Sequence, residues 1–119
     1  MDGFSRLAMR AGVGRKTTVM IIHSVFFWLK PELTDAQRAG FVAAAESLRA
    51  IKSVDSLFIG RPAAIVPRPV VDGSYTFGLS ITFKDLVAHD AYQIDPAHKA
   101  FVADNKPLWD KVQIYDAAN

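Results

Sequence analysis

Tyr92, Asp95, Pro96 and His98 stand close together in the stretch HDAYQIDPAHKAF, residues 89–101, and their types suit proton transfer. An aspartate followed by a proline fits the cap and first position of a helix, because the carboxylate accepts orphan amide protons and proline has none to offer. His98 then falls at the third helical position, where the helix dipole disfavours a cation and lowers the imidazole pKa. Tyr92 lies six residues earlier, at the end of a preceding short helix, so a phenol and an imidazole converge across the bend. Such a pair can provide a general base and a hydrogen-bond donor. A histidine in the first turn of a helix is more often a surface or capping residue than a catalyst, so position alone leaves both roles open.

Holding two rings in register needs a scaffold, and the rest of the chain supplies one. Residues 20–29, MIIHSVFFWL, are branched and aromatic and too short for a membrane span, which predicts a strand. Alternation puts Ile21, His23, Val25, Phe27 and Leu29 on one face and Ile22, Ser24, Phe26 and Trp28 on the other. Both faces are apolar, whereas the helices of one small domain cover only one, so a second copy of the chain is expected over the other. Thr34 and Gln37 match a capping box, and Phe41, Ala44, Ala45, Leu48 and Ile51 give one apolar stripe, so a helix is predicted down to about Ile51.

Strands are predicted at Val54–Ile59, at 75–83, where YTFGLSITF alternates cleanly, and at 111–116, KVQIYD. Between the first two of these, RPAAIVPRPVVDGS holds three prolines and a glycine and reads as a long exposed connection, a lid or a partner-binding edge. Asp85 caps a short helix through about Tyr92, and a second helical piece runs from Pro96 to about Lys106. The order is strand, helix, strand, strand, helix, strand: an α+β, ferredoxin-like βαββαβ arrangement with a four-stranded antiparallel sheet.

The chain of 119 residues has room for one core and contains no cysteine, which excludes disulfides and thiolate chemistry. Residues 1–19 carry a net charge of +3, so the remainder carries −1 of the total of +2 and offers no phosphate-binding surface. That leader is expected to be a flexible basic extension, with an organelle-targeting peptide as the minor alternative and Met20 as an alternative start. The folded domain is expected over 20–117. A soluble, cytoplasmic protein follows, with neither nucleic acid nor membrane as partner. His23, His89 and His98 show no metal-ligand spacing along the chain, GVGRK is no phosphate loop, and neither metal nor cofactor is expected.

The opening strand IIHSVFFWLK with its embedded His23, the helix start TDAQ, the strand YTFGLSITF, the segment AYQIDPAHKAF and the terminal WDKVQIYD together resemble the stress-responsive A/B barrel, or Dabb, domain. The resemblance covers about Met20 to Asp116 and implies a homodimeric α/β barrel with two sheets face to face and helices outside. In the olivetolic acid cyclase-like polyketide cyclases of this family, a tyrosine and a histidine of this segment carry a cofactor-independent aldol cyclisation. The positions that match them are Tyr92 and His98, the latter as base. The matching pocket positions are His23, Val25, Phe27, Phe41, Phe101 and Trp109. Two positions depart from the cyclase: Ala45 replaces a pocket tyrosine, and Asp95 replaces the histidine before the shared proline. The Asp95 carboxylate favours imidazolium at His98, against the dipole.

Two readings follow. One is a binder of, or cyclase or lyase for, a small hydrophobic carbonyl compound, held in an apolar pocket of a few hundred cubic ångströms between sheet and helices. The other is a non-catalytic stress or structural protein acting through dimer or higher assembly, with His23 a buried neutral residue satisfied by one backbone partner. Cofactor-free oxygenation or haem handling rests on fold analogy alone.

Overall fold

The computed structural model describes residues 19–119. The leader expected over 1–19 lies outside the described residues except for Val19. The four strands are β1 (Ile21–Leu29), β2 (Ser56–Gly60), β3 (Phe77–Phe83) and β4 (Trp109–Ala118), and the helices are α1 (Asp35–Ser47), α2 (Leu86–Ile94) and α3 (Pro96–Asn105). They build one antiparallel sheet in the order β2-β3-β1-β4, the ferredoxin-like topology expected from the element order.

β1 is one of the two interior strands, pairing with β3 on one side (Val25 opposite Leu79) and with β4 on the other (Val25 opposite Ile114). Period-two alternation sends its two sets of side chains to opposite faces. Ile21, His23, Val25, Phe27 and Leu29 are buried beneath the helices together with Phe77, Leu79, Ile81 and Phe83 of β3. The aromatic centre of this core is Phe27, whose ring meets Phe41 of α1 edge-on at 4.9 Å and Trp109 at 5.2 Å.

Among the described residues no helix lies over the opposite face. Ile22 is 43% exposed there, and Phe26 and Tyr75 form an edge-to-face pair at 4.9 Å. Gly78 makes that pair possible, since a β-carbon at its position would come within 3.3 Å of both rings. Trp28 lies on the same face, its indole N–H donating to Ser74 Oγ at 3.1 Å and its ring under the Lys111 ammonium at 4.5 Å. The apolar character read on both sides of β1 is therefore real, and the described residues cover one side with helices.

The capping box forms as expected: Gln37 N–H donates to Thr34 Oγ1 at 3.1 Å and Thr34 N–H to Gln37 Oε1 at 2.8 Å. α1 itself ends at Ser47, short of the expected Ile51, and Leu48–Ala50 form a 3₁₀ turn. No glycine follows to close the helix, so the chain tightens into three-residue bonds, as in Ile51 N–H to the Leu48 carbonyl at 3.0 Å. Leu48 and Ile51 still bury their side chains. Residues 61–76 contain no helix or strand. The edge strand β2 is short, and Arg49 Nη1 caps its outer side by donating to the Leu57 carbonyl at 2.8 Å.

Candidate functional site

One residue divides the α2–α3 segment. Asp95 closes α2 by donating its N–H to the Tyr92 carbonyl at 3.2 Å, and it opens α3 by accepting from Ala97 N–H through its carboxylate at 2.8 Å. Its extended backbone, with Pro96 next, breaks what would otherwise be one helix. Tyr92 sits in the last turn before the break and His98 at the third position after it, and their rings meet at 4.4 Å between centroids, tilted by 44°.

His98 Nδ1 lies 3.3 Å from the Gln93 carbonyl oxygen. A carbonyl can only accept, so Nδ1 carries the proton and the neutral ring keeps its lone pair on Nε2. Burial is the largest influence on this imidazole and lowers its pKa; the Gln93 carbonyl opposes it, His23 adds to it, and Asp95 pulls the other way. The competition between helix dipole and Asp95 is thus decided by desolvation, in favour of the neutral ring. Tyr92 is 2% exposed, and burial raises its phenol pKa far above the ordinary value of 10.0. One physical cause therefore leaves a neutral acceptor beside a neutral donor.

These rings open on a cavity of about 210 Å³ between the sheet and the helices. His23, Val25 and Phe27 of β1 form its floor, and Phe101, Trp109 and Ile114 contribute to its walls. Of the positions expected to line a pocket, Phe41 alone stands back: it is 1% exposed, behind Phe27 and Phe101. Trp109 Nε1 is buried without a hydrogen-bond partner among the described residues, an unused donor on a cavity-lining residue. A larger cleft of about 300 Å³ lies on the uncovered face, between Phe26, Trp28, Tyr75 and Tyr115, and no histidine lines it.

His23 is 4% exposed, and its partner is a side chain, not the backbone group expected. Its Nδ1 donates to Asp116 Oδ1 at 2.5 Å, across 93 positions of sequence. Register explains the meeting, since His23 and Asp116 are cross-strand partners of β1 and β4. His89, from α2, reaches the same carboxylate, with Nε2 at 3.6 Å from Asp116 Oδ1. Asp116 and His89 were not singled out by sequence reasoning. The terminal motif WDKVQIYD contained the aspartate, but only strand pairing tells which side chain it opposes.

The sequence profile described as Stress Responsive A/B Barrel Domain matches residues 21–119. Among solved structures, the chain is similar to a Dabb family protein with a ferredoxin-like fold from Mesorhizobium loti, at 33% identity and a TM-score of 0.69, covering 83% of this chain and 95% of that one. It is also similar in fold to the hydroxynitrile lyase of Passiflora edulis, at 19% identity and a TM-score of 0.72 over 84% of this chain and 93% of that one. A third similar fold is a dimeric ferredoxin-like protein of unknown function from Thermobifida fusca, at 21% identity and a TM-score of 0.70 over 86% and 92%. No curated protein sequence matches the chain. Among the described residues no helix is long and apolar enough to cross a membrane. Given a family profile that spans the sheet and all three helices, with a 33% identical relative of the same fold, the chain belongs to the stress-responsive A/B barrel domain family.

Proposed function

We propose that this protein is a cofactor-independent lyase or cyclase acting on a small hydrophobic carbonyl compound, with His98 as general base. The observation that carries the reading is the contact of Tyr92 and His98 at an apolar cavity floored by His23. In this reading Nε2 of His98 removes a proton from the carbon beside the carbonyl, and the electron pair moves onto the carbonyl oxygen. The Tyr92 O–H then donates a hydrogen bond to that developing enolate oxygen, a role that needs a phenol kept protonated. His23, held by Asp116 through Nδ1, presents Nε2 to shape or polarise the floor. The volume of about 210 Å³ lies below the usual range for drug-sized ligands, which favours a compact substrate over a long polyketide. The fold shared with a hydroxynitrile lyase is consistent with lyase chemistry on this scaffold.

The proposal includes a homodimer in which the uncovered sheet face meets its copy. Support comes from the aromatic residues on that face and from the dimeric neighbour of the same fold. That face also favours the second reading, a non-catalytic protein whose role lies in assembly.

A thermal-shift and turnover screen of small hydrophobic carbonyl compounds separates the two. The enzyme reading expects a compound that stabilises the parent and is consumed by it, with consumption abolished in His98→Ala. Consumption that survives in His98→Ala, or the absence of any stabilising compound, overturns it.

A further inference from the structure

Three side chains, His23, Asp116 and His89, meet at the β1–β4–α2 corner, and the proposed proton chemistry uses only the first two. His89 Nδ1 lies 3.0 Å from Asp90 Oδ1, and a carboxylate only accepts, so that nitrogen holds the ring proton. In the ring's single-proton form, Nε2 then carries a lone pair. This Nε2 is buried with no hydrogen-bond partner among the described residues, and it stands 3.6 Å from Asp116 Oδ1. Two acceptors facing each other repel unless something positive lies between them, and although the Asp116 side chain is 44% exposed, His89 Nε2 is itself shut off from water. The same oxygen also holds His23 Nδ1 at 2.5 Å. One ligand atom from each of His23, His89 and Asp116 lies within 4.8 Å of the other two.

We propose that His23, His89 and Asp116 form a binding site for one first-row divalent metal ion of the zinc class. Two imidazoles and one carboxylate are the donor set such ions accept, and three protein ligands leave a position for water. Zinc bonds these donors at about 2.0–2.2 Å, so ligand atoms set tetrahedrally around it stand about 3.3–3.6 Å apart. Loading the site asks the His23–Asp116 contact of 2.5 Å to lengthen by about 1 Å and leaves the His89–Asp116 gap of 3.6 Å nearly unchanged, within side-chain adjustment. The ion takes Nδ1 of His23, whose ring keeps its one proton on Nε2; no electron is transferred. The Asp90 carboxylate behind His89 Nδ1 is the outer partner that orients a metal-binding imidazole. The site does not depend on the catalytic reading, because none of its tests requires a substrate.

The test is calorimetric titration of the full chain with Zn²⁺, repeated with Co²⁺ followed by visible absorption. One ion per chain is expected, with a Co²⁺ spectrum of four- or five-coordinate intensity. His89→Ala and Asp116→Asn should each weaken binding by more than about tenfold, the scale on which even an outer partner's loss acts. His98→Ala should leave it unchanged. Thermal melts without metal show whether each variant is folded. Should a variant fail to fold, ring-nitrogen NMR of the parent decides instead, with Zn²⁺ expected to move the His23 and His89 signals more than those of His98. Absence of binding, binding that persists in folded His89→Ala and Asp116→Asn, or a larger movement of the His98 signals than of those of His23 and His89 overturns the site.

Discussion

Tyr92 and His98 lose the solvation of their charged forms together, and this has opposite consequences along the pH scale. The phenol is raised from 10.0, so the folded chain retains a proton that the unfolded chain gives up. Its contribution to stability is complete below about pH 10 and is lost as pH rises through the folded value. Tyr92→Phe should therefore flatten the alkaline fall of the melting temperature between about pH 10 and 11, read by thermal melts. The imidazole is lowered from 6.5, so the unfolded chain binds more protons, and stability falls as pH drops from about 6.5 through the folded value. The groups that face it are Asp95, His23, Tyr92 and the Gln93 carbonyl. Because Asp95 works against the lowering, Asp95→Asn should move the NMR titration midpoint of His98 further down; an upward movement would refute this assignment. The placement of Asp95, Pro96 and His98 was readable from residue type, since caps obey local rules. The sign of the His98 shift was not, because burial depends on strands and helices distant in sequence.

Asp95 terminates one helix and starts the next, so its removal acts on both. Asp95→Ala should cost about 1 kcal/mol, measured by urea unfolding, whereas Asp95→Asn, which keeps a capping oxygen, should cost a few tenths or less. Phe41 ties α1 to the sheet through Phe27 and through a stacked contact with Phe77 at 5.8 Å. Phe41→Ala should cost about 3–5 kcal/mol, a large share of a small domain's stability. Its effect on ligand binding should be indirect, since it stands behind the cavity wall. Element types and order could be read because the periods of β3 and α1 are clean and β1 is a short run of branched and aromatic residues. Ends were harder: β4 runs from Trp109 to Ala118, longer than the 111–116 predicted. Its extension is paid for by pairing along the whole of β1, a long-range gain that no local window contains.

The described residues present a sheet with helices on one side and partly exposed aromatic residues on the other. If two copies meet there, Phe26→Lys should place charges in the contact and yield monomers by light scattering, while circular dichroism remains that of the parent. A parent that is itself monomeric at micromolar concentration would rule out the dimer. The chain has two tryptophans, and the fold gives them separate postings. Trp28 lies on the bare face beneath Lys111, whereas Trp109 lines the cavity. Trp28→Phe and Trp109→Phe would leave one indole each, so the emission of one variant follows cavity filling and that of the other follows subunit association. The two events thereby become separable optically, without a dye or label.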